Sequence, residues 1–101
     1  MELSTEKNGA ELFVQLSGEL NTLTAPELAA LLDKELDGVE TLTLDFKECD
    51  YVSSAGLRVL LGTFKQMKAS GGDMCLVNVG ENFMDVLQNT GLDAVFDVET
   101  C

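Results

Sequence analysis

The sequence predicts an α/β fold: one domain with a mixed, mainly parallel sheet of four to five strands, an N-terminal hairpin and about three helices. Three observations predict it. Strand-like and helix-like segments alternate after residue 20, which requires crossover connections between parallel strands. Asn8-Gly9 separates two extended segments near the N-terminus and favours a tight hairpin turn. The 101 residues fit a single domain, which we expect to span residues 1–101.

The first half of the chain is predicted to form the hairpin and the first helix. One face of the second strand carries the apolar residues Leu12, Val14 and Leu16. The helix is expected to begin near Thr24, because Thr24 and Glu27 have the spacing of a capping box. Pro26 is tolerated in a first helical turn, and Gly38 marks the end of the helix. The apolar stripe of this helix comprises Leu28, Leu31, Leu32 and Leu36.

The second half is predicted to contain three strands and two helices. The predicted elements are a strand over 39–46, a long helix from near Ser54 to the glycine pair 71–72, a strand over 74–79, a short helix over 82–90 and a last strand over 95–98. The long helix follows from a stripe formed by Leu57, Leu60, Leu61, Phe64 and Met67. The compact apolar run 74–79 is typical of a buried strand in a parallel sheet.

The charge and the residue types restrict the function. Eighteen acidic and six basic residues give a net charge of −12, so we expect no binding to nucleic acid or insertion into a membrane. The chain has no histidine, which removes the commonest general base and the commonest neutral metal ligand. We therefore expect no cofactor and no enzymatic activity.

Cysteines and apolar runs indicate the cellular location. Cys49, Cys75 and Cys101 are odd in number and far apart, which favours free thiols in a reducing compartment over a disulfide or a zinc site. The N-terminus shows no secretory signal, and no apolar stretch approaches the roughly 20 residues of a membrane span. The expected location is the cytoplasm.

The most promising functional position is the turn before the long helix. Ser53 and Ser54 follow the carboxyl end of a predicted parallel strand, where ligands and partners meet such sheets. Judged by position alone, a serine there is better explained as a helix cap. Arg58 lies one helical turn after Ser54 on the same face, although an exposed, solvated arginine is the better reading of that residue alone.

Enzymatic readings of the same turn lack support in the sequence. A serine nucleophile needs a neighbouring base, and the chain has no histidine to supply it. The segment 52–56 lacks the first glycine of a Gly-x-Ser-x-Gly elbow. Glu48 and Asp50 could form an acid/base pair, but solvated loop carboxylates are the commoner case.

Four segments carry a resemblance to a known family. They are Leu16-Ser17-Gly18-Glu19-Leu20, Leu42-Thr43-Leu44-Asp45-Phe46, Tyr51-Val52-Ser53-Ser54-Ala55-Gly56-Leu57-Arg58 and Gly71-Gly72-Asp73-Met74. With them, nearly the whole chain resembles the STAS domain family, and most of all its free-standing bacterial anti-sigma factor antagonists. The stretch around Ser54 is the most specific of the four.

The resemblance implies a regulatory function. Such antagonists bind an anti-sigma factor that is also a serine kinase and thereby release a sigma factor for transcription. The kinase then phosphorylates the serine that aligns with Ser54, which switches binding off, and a metal-dependent serine phosphatase removes the phosphate. The partner-binding residues expected from the resemblance are Asn21, Ser53, Ser54, Ala55, Gly56 and Arg58. The alternative is an unphosphorylated STAS scaffold subunit of a larger complex, such as a lipid-transport ABC system or a stress-signalling particle.

The chain departs from the family pattern in three respects. Ser53 and Asn21 stand where many antagonists have aspartate, which removes two carboxylates near the acceptor and makes Ser53 a second candidate acceptor. The family usually ends in a helix packed on the sheet, and we expect that helix to be short or missing within residues 1–101. Its absence would expose apolar surface and favour self-association.

Overall fold

The computed structural model describes residues 1–100, which form five strands, three α-helices and one short 3-10 turn. The elements in chain order are β1 (Glu2–Asn8), β2 (Glu11–Ser17), α1 (Ala25–Glu35), β3 (Thr41–Glu48), α2 (Ser54–Ala69), β4 (Asp73–Val79), α3 (Glu81–Thr90), the 3-10 turn (Leu92–Ala94) and β5 (Asp97–Thr100). Cys101, one of the three predicted free thiols, lies outside the described residues. No helix within residues 1–100 is long and apolar enough to cross a membrane.

The strands form one sheet in the order β1-β2-β3-β4-β5. β1 and β2 pair antiparallel as a hairpin, whereas β2 to β5 run parallel to one another. This confirms the predicted mixed, mainly parallel sheet. The hairpin loop lies one residue later than predicted: Asn8 pairs with Glu11, and Gly9 and Ala10 form the loop. Gly9 adopts the positive φ of 60° that this tight loop needs.

All three helices pack on the same face of the sheet. Each crossover advances by one strand in the same direction, and right-handed crossovers then place every helix on one side. Alternate strand residues bury their side chains against the helices; the fully buried ones include Leu12, Val14, Leu16, Leu42, Leu44 and Leu76. The opposite face, here called the open face, carries one residue from each strand in a row across the sheet: Glu6, Phe13, Thr43, Cys75 and Asp97.

Two local predictions are wrong for identifiable reasons. Thr24 precedes α1 as predicted, but its side chain caps no helix N–H, so the predicted capping box with Glu27 does not form. The last strand begins two residues later than predicted, because Leu92–Ala94 form a 3-10 turn that leaves Val95 exposed. Phe96 is buried instead, and its ring packs edge-on against the ring of Phe64 with centroids 5.5 Å apart.

Candidate functional site

The loop before α1 and the loop before α2 are joined by backbone hydrogen bonds at the carboxyl edge of the sheet. The Leu20 N–H donates to the Tyr51 carbonyl at 2.9 Å, and the Ser53 N–H donates to the Leu20 carbonyl at 2.8 Å. A third bond runs from the Gly18 N–H to the Glu48 carbonyl at 3.0 Å. These bonds extend the parallel pairing of β2 and β3 beyond both strands. They hold the start of α2 in a fixed position beside residues 18–24.

The two serines at the start of α2 have different roles. Ser53 has extended backbone angles (φ −84°, ψ 175°), and its hydroxyl accepts a hydrogen bond of 3.4 Å from the Gly56 N–H. Ser53 is therefore the helix cap. Ser54 is the first helical residue, and its side chain is exposed and makes no hydrogen bond with any of residues 1–100. The Ser54 hydroxyl thus remains accessible at the positive end of α2.

Gly56 is buried and permits the close approach of α2 to the joined loops. A Cβ atom at this position would lie 2.7 Å from Cγ of Leu20 and 3.0 Å from Cγ1 of Val52. Those distances are shorter than real carbon contacts allow, so any side chain would push the first turn of α2 outward. Gly56, expected from the resemblance to bind a partner, offers no exposed side-chain surface. Its position shows a packing role beneath Ser54.

Asn21 organises the loop before α1. Its Oδ1 accepts hydrogen bonds from the N–H groups of Leu23 (3.0 Å) and Thr24 (3.1 Å). The Thr24 hydroxyl in turn accepts from the Asn21 N–H at 2.8 Å and donates to the Glu19 carbonyl at 2.6 Å. The Thr24 hydroxyl thus bonds the preceding loop, which explains why it does not cap α1. Asn21 fixes the loop that lies beside residues 51–53.

Arg58 is exposed one helical turn after Ser54, at roughly 5–6 Å between Cβ atoms for that spacing. It forms no ion pair within residues 1–100; the salt bridge in that part of the chain joins Lys68 to Asp73 at 3.2 Å. Arg58 also borders the shallow groove between α1 and α2, near Ala29 and Thr63. Ala55 is half-buried beside the core. The structure therefore places the Ser54 hydroxyl and the Arg58 guanidinium, which has no ion-pair partner within residues 1–100, on one exposed face of α2.

A third loop adjoins the site from β4 and α3. The Asn82 side-chain N–H donates to a carboxylate oxygen of Asp50 at 2.7 Å. Deeper in the sheet, the Asn78 side chain donates to Asp45 at 2.9 Å, and the same oxygen accepts from the Lys47 N–H at 2.9 Å. Asp50 and Asp45 are therefore hydrogen-bond acceptors that connect neighbouring loops. Glu48 and Asp50 were considered from the sequence as an acid/base pair. None of these hydrogen bonds, all within residues 1–100, places a group that could exchange a proton beside that pair.

Two comparisons with known proteins identify the family of this chain. The STAS domain family matches residues 2–100, which is nearly the full length. The anti-sigma-B factor antagonist of Bacillus subtilis (strain 168) is 30% identical over 98 residues, covering 97% of this chain and 90% of the relative. The chain belongs to the STAS domain family. The predicted resemblance is thereby confirmed, and the curated relatives of this STAS domain are anti-sigma factor antagonists.

Solved structures share the fold of this STAS domain. TM1081 from Thermotoga maritima superposes with a TM-score of 0.91 at 22% identity, covering 98% of this chain and 86% of that one. SpoIIAA from Bacillus in its phosphorylated form superposes with a TM-score of 0.78 at 20% identity, covering 99% of this chain and 92% of that one. At these identities the likeness establishes the fold alone, including the mixed sheet and the N-terminal hairpin.

Two exposed apolar side chains of the STAS domain beside the site were not predicted from the sequence. Leu23 is 84% exposed in the loop before α1, and Tyr51 is 52% exposed in the loop before α2. Both loops are joined at Leu20 and Val52, so the two side chains lie on either side of that junction. Two features of the sequence could have indicated this exposure. Leu23 lies outside the apolar stripe of α1, and Tyr51 lies in a polar loop. Both side chains are available for apolar contact with a partner beside the start of α2.

The remaining chemistry of the site is that of a buried thiol. Cys49 is buried, and its Sγ donates to the Tyr51 carbonyl at 3.6 Å. Burial raises the pKa of the Cys49 thiol above its ordinary value, and the negative charges of Asp50 and Glu19 raise it further. The thiol is therefore neutral and unreactive at neutral pH. Within residues 1–100, no three side chains of the usual metal-binding types converge.

Proposed function

We propose that this STAS domain is an anti-sigma factor antagonist that binds an anti-sigma factor with serine kinase activity. Phosphorylation of Ser54 by that kinase weakens the binding, and a metal-dependent serine phosphatase restores it. The observation that carries the proposal is the exposed hydroxyl of Ser54 beside a residue that already caps the helix. The names of the curated relatives support the class of partner.

The start of α2 is physically suited to a phosphate. A helix N-terminus carries about half a positive charge and has backbone N–H groups without helical partners. A phosphate adds roughly −1.5 to −2 charges and three acceptor oxygens, which this helix end tolerates and the nearby Arg58 can pair with. SpoIIAA, which shares this fold, has been solved in a phosphorylated form, which supports a folded phosphorylated state here. Phosphorylation should therefore leave the domain folded.

The docked partner responds differently to the same charge. Leu23 and Tyr51 supply exposed apolar contacts on the two loops beside Ser54. A phosphate introduced into such an interface brings unpaired charge between surfaces that exclude water, at a cost of several kcal/mol. About 3 kcal/mol is enough to weaken binding roughly a hundredfold. The switch therefore acts on the interface and leaves the stability of the domain unchanged.

The test compares affinity and thermal stability for one negative charge added at two positions. The affinity of the cognate anti-sigma factor kinase is measured by calorimetry for the wild type, Ser54→Asp and Asn89→Asp. Asn89 is exposed near the carboxyl end of α3, outside the open face, and is the matched control. We expect Ser54→Asp to weaken binding roughly a hundredfold and Asn89→Asp to weaken it less than about twofold, with melting temperatures close to the wild type.

Two outcomes would contradict the proposal. Equal affinity for the wild type and Ser54→Asp would show that charge at this position does not control binding. Loss of binding together with unfolding would show that Ser54 acts through stability. To cover the case in which aspartate imitates phosphate poorly, the same measurement is made on protein with phosphoserine incorporated at position 54.

A further inference from the structure

The open face of the sheet has no role in the packing of the helices or in the function proposed for Ser54. Parallel sheets are ordinarily covered on both faces, and the parallel strands β2 to β5 are covered here on the helix face only, as far as residues 1–100 are concerned. The open face lies across the sheet from α1 and α2. A partner bound there would occupy a surface separate from the Ser54 site.

The centre of the open face carries apolar side chains and one buried carboxylate, because Asp45 is 6% exposed and pairs in register with Val77. Phe13, Thr43 and Cys75 lie side by side on β2, β3 and β4, and Val77 follows Cys75 on the same face. The Phe13 side chain is 37% exposed, one of the few large apolar side chains so exposed within residues 1–100. Cys75 and Val77 are half-buried. Phe13 thus offers apolar surface at the centre of a sheet face, next to two further partly exposed apolar side chains.

Negative charges flank this apolar centre on both sides. On the hairpin side, Glu6 pairs in register with Phe13, and Glu11 precedes Phe13 by two residues on the same face. On the other side, Asp97 pairs in register with Cys75, and Glu99 follows on β5. Burial raises the pKa of the Cys75 thiol, and the neighbouring charges of Asp97 and Glu99 raise it further.

Basic residues are nearly absent from the open face. Strand alternation places Lys47 there, at the carboxyl end of β3, and no other basic residue of the five strands within residues 1–100. Lys7 on β1 projects to the helix face, where its Nζ donates to the Asp37 carbonyl at 3.4 Å. The face therefore presents the apolar side chains of Phe13, Cys75 and Val77 between two acidic borders. Its complement is an apolar strip between two basic borders.

We propose that the open face docks a basic amphipathic helix of a partner protein. The apolar side of that helix would cover Phe13, Cys75 and Val77, and its lysines or arginines would pair with the acidic borders. A second copy of this chain fits poorly, because it would bring two acidic faces together in a protein whose net charge is already −12. The proposal concerns a second interaction surface and does not depend on the function proposed for Ser54.

The test uses a synthetic leucine–lysine amphipathic helix of about four turns as the probe. Its affinity is measured by calorimetry, and its location by chemical-shift changes of the ¹⁵N-labelled protein. The open-face variant neutralises four border carboxylates: Glu6→Gln, Glu11→Gln, Asp97→Asn and Glu99→Gln. The control variant makes the same change in net charge on exposed residues elsewhere: Glu27→Gln, Asp33→Asn, Asp37→Asn and Asp85→Asn.

The equal net charge of the two variants separates specific docking from general attraction between a cationic peptide and an acidic protein. We expect the open-face variant to bind the peptide about tenfold more weakly and the control variant less than about twofold more weakly. Phe13→Ser should also weaken binding, whereas Val95→Ser, at an exposed apolar residue outside the sheet strands, should not. Shift changes should centre on Phe13, Thr43 and Cys75.

Three results would overturn the proposal. Equal weakening by both neutralised variants would mean that the attraction is not specific to the open face. Shift changes confined to α1 or α2 would place the docking surface on the helix side. A concentration-dependent dimer in sedimentation equilibrium that Phe13→Ser dissociates would identify a second copy as the occupant.

Discussion

Gly56 and Leu20 are in such close contact that the helix α2 cannot begin where it does with any side chain at position 56. The distance from an added Cβ to Cγ of Leu20 would be 2.7 Å. Leu20 itself is fully buried. Its N–H donates one of the backbone hydrogen bonds that join the two loops, and its carbonyl accepts another. The exposed position of Ser54, two residues before Gly56, therefore depends on a glycine and on a buried leucine in the preceding crossover.

Gly56→Ala should destabilise the domain. The added methyl group must displace the Leu20 side chain or the first turn of α2, and overpacking of this kind costs about 1–3 kcal/mol. Urea denaturation gives the free energy of unfolding. Gly62→Ala is the matched control, because Gly62 lies in the same helix with open space around its Cβ position, and it should stabilise by about 0.5–1 kcal/mol. Equal effects of the two substitutions would contradict the packing role of Gly56.

Ser53 and Ser54 should differ in their contribution to stability. Ser53→Ala removes the hydroxyl that caps α2 and should cost about 0.5–1 kcal/mol, the lower range for a cap, because its hydrogen bond is 3.4 Å long. Ser54→Ala removes no hydrogen bond within residues 1–100 and should change the free energy of unfolding by less than about 0.5 kcal/mol. A larger loss for Ser54→Ala would mean that Ser54 is the cap.

Asn21→Ala and Asn21→Asp should separate hydrogen bonding from charge. The Asn21 Oδ1 accepts two backbone hydrogen bonds, so alanine should cost about 1–2 kcal/mol, whereas aspartate keeps an acceptor oxygen and should cost much less. Thermal denaturation of the two variants and the wild type gives the comparison. If aspartate destabilised the domain as much as alanine, the role assigned to Oδ1 would be wrong.

Cys49 should make the domain less stable at alkaline pH. Burial holds the pKa of its thiol above the ordinary 9.0, so the unfolded chain releases this proton at lower pH than the folded domain does. The contribution of the neutral thiol is complete below about pH 9 and declines as the pH rises through the folded pKa. Urea denaturation at about pH 7.5 and about pH 10.5 should show a larger loss for the wild type than for Cys49→Ala. Parallel losses would contradict the shift.

The order of strands and helices could be predicted because local patterns agree with the final packing. The alternation that buries Leu12, Val14 and Leu16, and the helical stripe with Leu28 and Leu32, are each visible without knowledge of the fold. The boundaries of β5 could not be predicted, because the 3-10 turn at Leu92–Ala94 has no local pattern of its own and the burial of Phe96 against Phe64 is a long-range contact.

The candidate site could be located from the sequence only in part. The turn at Ser53 and Ser54 follows from strand and helix patterns, but which serine caps α2 depends on backbone angles that the sequence leaves open. Likewise, Thr24 and Glu27 have the spacing of a capping box, yet the Thr24 hydroxyl accepts from the Asn21 N–H and donates to the Glu19 carbonyl instead. The exposure of Leu23 and Tyr51 results from how two distant loops join, which no local pattern reports.

The most direct measurement incubates the protein with ATP and the cognate anti-sigma factor kinase and then maps phosphate by tandem mass spectrometry. We expect a single phosphate on Ser54, absent in Ser54→Ala and retained in Ser53→Ala. Phosphate on Ser53, or no phosphate on a protein that binds the kinase, would contradict this expectation.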